Sequence, residues 1–373
     1  MSMRFSVCRD ACSRRVAGPR GHGARRTAAS SPRRDDEVDL AHACRCDVVT
    51  WCVHVRGKHT QADCGGLLPS PASRTRPHAS ECGRVIVKAI AAPPRVTIAT
   101  PTWNRARFLP ETLESLLAQD YPNLELLVVD DGSTDDTPAV VAKFVARKPD
   151  VVRYIRQPNT GEAGATNHAW RVATGSLFGV VCSDDPQPPG LVRASVECLQ
   201  ANPDVIVSYP DWWWLDGRGA RIKQVNLPEF SLERLIAMCH CFPGPGAFIR
   251  RDAVYDRLPV LRNPRYTLVS DYCSYLWLCQ FGPFKRIPHT IAAWRCHPSG
   301  ASSVNRGRKH AAEHVRLFKD FFSEPNLPDN IAQYKDRALI GIHRLAANCV
   351  GRRDPVVWSM YRLQEMMYAR RHT

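Results

Sequence analysis

Along most of the chain, apolar residues gather in short β-branched runs that alternate with longer stretches repeating every three to four positions. Runs of the first kind predict buried strands and stretches of the second predict amphipathic helices. The alternation starts after Pro93-Pro94. It predicts strands at Val96–Ala99, Leu124–Val129, Val151–Ile155, Leu177–Cys182 and Val205–Tyr209, with helices at Leu109–Gln119, Thr137–Arg147, Ala163–Ala173 and Leu191–Ala201. Pro138 suits a first helical turn, where its missing N–H is not needed. Strand, helix and strand in succession is the signature of βαβ units, so the fold class is α/β, with a mostly parallel central sheet flanked by helices.

Beyond Trp212 the rhythm breaks. The segment WWWLDGRGARIKQV reads as a hairpin turning at Asp216–Gly219. Residues 231–239 and 271–280 read as helical and 284–295 as extended, while SGASSVNRGRK (299–309) is a polar, basic loop. From about His310 to Thr373 the pattern is helical and amphipathic. Before residue 95 neither a 3.6 nor a 2 period is sustained, and Arg, Pro, Cys and small residues dominate, so residues 1–94 read as a disordered basic extension.

Composition narrows the class. With 373 residues, 44% apolar and 23% charged, collagen, coiled coil and wholesale disorder are excluded. The net charge of +15 is concentrated in the N-terminal quarter, so it reads as a solvated arginine-rich tail, and no nucleic-acid partner is expected. A peripheral contact with an anionic membrane face stays compatible with it. Of fifteen cysteines, seven precede residue 95, without paired C-x-x-C spacing; in a long chain with no apolar leader this favours reduced thiols and a cytoplasmic setting.

Ligands of open α/β sheets bind at the carboxyl ends of strands. Two such ends carry paired acids: Asp130-Asp131 after LELLVVD, and Asp184-Asp185 after LFGVVC. Adjacent carboxylates beyond a buried strand repel one another unless solvated or neutralised, and a hard divalent ion shared with a substrate diphosphate would relieve them. Taken singly, Asp184-Asp185 reads equally well as a helix cap or polar turn before Pro186, and Asp130-Asp131 reads rather as a turn with Gly132. The first turn, TPTWNRARF, adds Thr100, Asn104 and Arg105 at the same edge. Neither G-x-x-x-x-G-K-S/T nor G-x-G-x-x-G occurs, which argues against a P-loop NTPase or a nicotinamide dehydrogenase.

Five motifs occur in order: PTWNR (101–105), DDGSTDDT (130–137), NTGEAGATN (159–167), SDD (183–185) and SDY (270–272). In order and spacing they resemble family 2 glycosyltransferases over about residues 95–303. The resemblance implies a GT-A fold, a nucleoside-diphosphate-sugar donor (a UDP-sugar by default), Mn²⁺ or Mg²⁺, and inversion at the anomeric carbon. It divides the chain into the extension 1–94, a glycosyltransferase domain 95–305 with a nucleotide-binding half (95–210) and an acceptor-side half (211–305), and a helical segment 306–373. Position by position it implies donor contacts at Thr100, Arg105, Asp130, Asp131, Asn159 and Gly161, with Asn167 on the floor of the nucleotide site. It implies a ribose or metal-shell role for Asp184, metal ligation by Asp185, and diphosphate or metal contact by His297 before the 299–309 loop. Asp271 is the implied general base. Relatives often read D-x-D-D at the metal strand; here the first acid is Cys182, taken as a buried strand residue.

The run Trp212-Trp213-Trp214 offers an indole platform for an acceptor sugar, with Trp213 as the candidate, although at least one of the three must face the core. The expected activity is sugar transfer to a glycan or lipid-linked acceptor in surface polysaccharide or glycolipid synthesis. Its rivals are an inactive sugar-nucleotide-binding scaffold and a nucleotidyltransferase.

Overall fold

Strands β1 (Val96–Thr102) and β2 (Leu124–Asp130) are buried at every position, which requires cover on both faces. Side chains of a strand alternate between faces, and here the alternation sorts them into two cores. Ile98, Leu126 and Val128 join one cluster with Leu109 and Leu113 of α1 (Leu109–Leu117) and Val141 of α2 (Thr137–Arg147). Ala99, Leu127 and Val129 join the other, with Ala165, Ala169 and Trp170 of α3 (Gly161–Val172). The computed structural model describes residues 92–239, 242–300, 307–352 and 354–371, all within one compact unit spanning 85–373. The expected extension 1–94 lies almost wholly outside the described residues, as does Arg306 of the basic loop.

The eight-stranded sheet runs β3-β2-β1-β4-β7-β5-β6, with β8 paired to β5. Strands β3 (Val152–Arg156), β2, β1 and β4 (Leu177–Val180) are mutually parallel. The chain order therefore reverses at β1, and the gap between β1 and β4 beyond their carboxyl ends is the switch point where a ligand crevice is expected. Helix α4 (Leu191–Ala201) follows the acidic turn after β4.

The second half is mixed. Strand β7 (Phe248–Arg250), which the sequence pattern did not announce, inserts antiparallel between β4 and β5. Strand β5 (Val207–Leu215) carries the tryptophan run inside it and forms the expected hairpin with β6 (Arg221–Val225). The segment expected as a helix over 231–239 is a single wide turn at Glu233–Ala237. A short α5 (Arg251–Val254), then α6 (Ser270–Leu278), lead to the long strand β8 (Phe284–Arg295). The C-terminal helices are α7 (Arg308–Phe321), α8 (Asp329–Ala332), α9 (Lys335–Val350) and α10 (Pro355–Arg371). Phe318 of α7 and Ile342 of α9 are fully buried in the same cluster as Tyr272 and Leu276 of α6, so these helices pack against α6.

Candidate active site

A cavity of about 580 Å³ opens at the switch point, lined among others by Thr102, Arg105, Asp131, Asn159, Gly161, Cys182 and Asp184. Its rim is knitted from the motif turns. Asn104 accepts at Oδ1 from the backbone N–H of Thr134 at 2.8 Å and receives the Ser133 hydroxyl oxygen as acceptor for its own N–H at 2.9 Å. The Arg105 N–H donates to Thr137 Oγ1 at 3.0 Å. The turn after β1 is thereby fixed to the turn after β2.

Asp130 is fully buried. Its carboxylate accepts from the Ser133 N–H (2.8 Å) and the Tyr154 hydroxyl (2.6 Å), with Arg156 at 3.9 Å. Asp131 accepts from Gln157 (2.8 Å), the Thr160 N–H (2.8 Å) and the Gly161 N–H (2.7 Å). It thus supplies the acceptor that the first N–H groups of α3 lack, and it also lines the cavity. Gly161 holds φ at +80°, and a Cβ there would meet no atom within 4 Å, so the backbone faces open space where a ligand can approach closely. Thr100 is buried within β1, two positions beneath Thr102 on the same face; its hydroxyl finds no partner among the described residues, and Thr102 lines the cavity instead.

Asp184, Arg105 and His297 form one contact ring. His297 Nε2 lies 2.8 Å from Asp184 Oδ2, so it carries the hydrogen that the carboxylate accepts. Its Nδ1 lies 2.9 Å from the Ser299 hydroxyl. Arg105 closes the ring, 3.7 Å from Asp184 and donating to the Ser299 carbonyl at 3.2 Å. Phe108 stacks on the His297 ring at 4.6 Å. The segment 297–300 is therefore latched over the cavity, which Gly300 lines.

Asp185 is almost fully buried; its Oδ1 accepts the Arg295 N–H at 2.7 Å, and the Cys182 thiol is its other hydrogen-bond donor. Burial, then the neighbouring Asp184 charge, pushes its carboxyl well above the ordinary range. Ligand atoms of Cys182, Asp184 and Asp185 all lie within 4.8 Å of one another. The reading of Cys182 as a buried strand residue needs correction: β4 ends at Val180, and Cys182 is exposed on the cavity wall. Two carboxylates there, one short of hydrogen-bond donors, fit a hard divalent cation; a thiol is a poor partner for such an ion, so the fit rests on Asp184 and Asp185.

Two other expectations are displaced. Asn167 does not reach the cavity floor; its amide clamps the backbone of Arg262, donating to the carbonyl at 2.6 Å and accepting from the N–H at 2.8 Å. Trp213 does not line the cavity: alternation along β5 turns it away from Trp212 and Trp214, and Arg221 lies over its ring at 5.1 Å. The indoles at the cavity are Trp103, 51% exposed, and Trp294, which packs on Trp212 and Trp214 at 5.4 and 5.7 Å. Trp294 stands directly opposite Trp214 in the β5–β8 register, a pairing no local sequence signal carries. Glu162 was also missed, although it lies inside NTGEAGATN. It lines the cavity and is held by Arg262 and, at 3.2 Å, by the Ser270 hydroxyl. That contact ties the start of α6 to the rim. Asp271, the next residue, is exposed and accepts from the Tyr272 N–H at 2.8 Å.

The family model "Glycosyl transferase family 2" matches residues 97–258. An uncharacterized glycosyltransferase of Nostoc sp. is 26% identical over 210 residues, 54% of this chain and 65% of that protein. Chondroitin synthase of Escherichia coli is 32% identical over 197 residues, 52% of this chain and 28% of its own length. The chain thus spans less than two thirds of each of these relatives. Among solved structures, S. aureus TarS 1-349 in complex with UDP-GlcNAc superposes with TM-score 0.57 at 18% identity, over 72% of this chain and 79% of that one. The mannosyltransferase PcManGT from Pyrobaculum calidifontis, in complex with GDP-Man and Mn²⁺, gives 0.50 at 21%, over 75% and 85%. With the sheet order, the motif turns and these likenesses together, residues 97–258 form a glycosyl transferase family 2 domain, and the chain has the GT-A fold.

Proposed function

We propose that the chain transfers a sugar from a nucleoside diphosphate sugar to a hydroxyl of a glycan or lipid-linked acceptor, inverting the anomeric carbon. The observation that carries this reading is the set of three converging ligand atoms, on Cys182 and Asp184, which line the cavity together with Arg105, Asp131 and Asn159, and on the buried Asp185. Asp184 and Asp185 would hold Mn²⁺ or Mg²⁺, which when bound supplies charge neutralisation at the donor diphosphate. The His297 Nε2–H on Asp184 is the outer hydrogen bond that orients a ligating carboxylate.

The remaining steps belong to side chains. Arg105 reaches the diphosphate side of the cavity. Asp131 and Gly161 face the base, with Asp130 holding their turn. Trp294 and Trp103 offer faces for sugar rings. Asp271, the residue after the Ser270 that bonds Glu162 of the cavity lining, takes the proton from the acceptor hydroxyl as its oxygen attacks the anomeric carbon and the nucleoside diphosphate leaves. The base is taken as uracil and the acceptor as a polysaccharide, by likeness to the relatives.

The test is product identification. Incubation with a panel of UDP- and GDP-sugars plus Mn²⁺ should release nucleoside diphosphate with transfer to an oligosaccharide acceptor. Release of pyrophosphate from a nucleoside triphosphate, or nucleotide binding without turnover across the panel, would overturn the reading.

A further inference from the structure

A second cluster of metal-ligating side chains lies far along the chain from the cavity motifs. His310 and His314 sit one turn apart on α7, and Cys349 comes from the last turn of α9. One ligand atom from each lies within 4.8 Å of the other two. We propose that these three residues form a binding site for a borderline-soft divalent cation, Zn²⁺ by chemistry, that ties the start of α7 to the end of α9.

The donor set is the reason for that class of ion. Two imidazoles and a thiol suit Zn²⁺ at a tetrahedral site whose fourth position is left to water. The carboxylates at the cavity favour a harder ion, so the two clusters select differently. Histidines at i and i+4 share one helix face, and their rings stand 4.5 Å apart at 71°. His314 is already prepared as a ligand. Its Nδ1 lies 3.0 Å from the His310 carbonyl oxygen, and since a carbonyl only accepts, Nδ1 carries the hydrogen and the lone pair is left on Nε2.

The position gives the site a structural consequence. Arg308 at the start of α7 is ion-paired to Asp354 just before α10, so three helix ends meet here.

Cobalt(II) titration of the full, reduced chain tests this, because thiolate–Co²⁺ charge-transfer absorption reports the cysteine ligand. The N-terminal cysteines and Cys182 can also bind Co²⁺, so the reading is a difference between variants. Cys349→Ser and His310→Gln should each remove one equivalent of Co²⁺, whereas Cys182→Ser and Asp185→Asn should leave that equivalent in place. Zn²⁺ should raise the thermal midpoint of the unaltered chain and lose that increment in both site variants. Both alter half-buried positions, and equal midpoints without metal check that they fold. Unchanged Co²⁺ stoichiometry and an unchanged Zn²⁺ increment in Cys349→Ser and His310→Gln would overturn the proposal.

Discussion

Two acidic pairs stand at the ends of the two strands that flank β1 and look alike as text, yet the structure treats them oppositely. Asp130-Asp131 after β2 is saturated from within: a tyrosine hydroxyl, a glutamine amide and three backbone N–H groups spend their hydrogens on it. Asp184-Asp185 after β4 is underserved. Asp185 has one backbone donor and the Cys182 thiol, Asp184 has His297, and Arg105 stands off at 3.7 Å. A buried carboxylate with enough donors shapes a loop, whereas one without them is a demand for positive charge from outside. The difference lies in the supply of donors, not in the acids.

If both pairs only bind and shape, the chemistry lies elsewhere, and the largest loss of turnover should fall on the exposed Asp271. Asp271→Asn is expected to lower kcat by about 10²–10⁴-fold while the dissociation constant for nucleoside diphosphate, read by calorimetry, holds. A comparable loss from Asp130→Asn at unchanged stability would break the division of labour. Next in size, Asp131→Asn should cost about 2–3 kcal/mol in a denaturant titration, through its lost charge-assisted hydrogen bonds. Asp184→Asn, whose carboxylate is partly solvated, should shift the same titration by less than about 1 kcal/mol.

Glu125 in β2 extends the comparison to pH. Burial alone would raise its carboxyl, but hydrogen bonds from Thr97, the Thr174 N–H and Arg153 outweigh it and hold the pKa below 4.5. The unfolded chain binds the proton first as pH falls, so this contribution is present above about 4.5 and is lost as pH drops through the lower folded value. Glu125→Gln should flatten that acid limb in stability measured against pH. Smallest of all, Trp294→Ala should raise a substrate KM roughly 3–10-fold through lost stacking. Trp213→Ala, whose ring packs under Arg221, should leave both kinetic constants within about twofold.

The parallel part of the sheet was legible because its signals are local. Strands β2 and β4 are largely apolar runs, each helix carries its own period, and the motif turns lie within a few residues of strand ends. The failures share a different physics. Strand β7 is three residues long, too short for a pattern. Trp294 reaches the cavity only through pairing with β5, and one step of alternation decides that Trp213 does not. Asn167 binds the backbone of Arg262 across 95 positions, a partner that composition cannot announce. Cys182 was misplaced because the apolar run was read to its end, while β4 stops two residues earlier to open the acidic turn.

The most direct measurement is calorimetric titration of nucleoside diphosphate with and without Mn²⁺, on the unaltered chain and on Asp185→Asn. Affinity should rise about tenfold or more with Mn²⁺ in the unaltered chain, a gain of about 1.4 kcal/mol, and that increment should vanish in the variant while metal-free affinity persists. An increment of equal size in both proteins, or none in the unaltered chain, would contradict it.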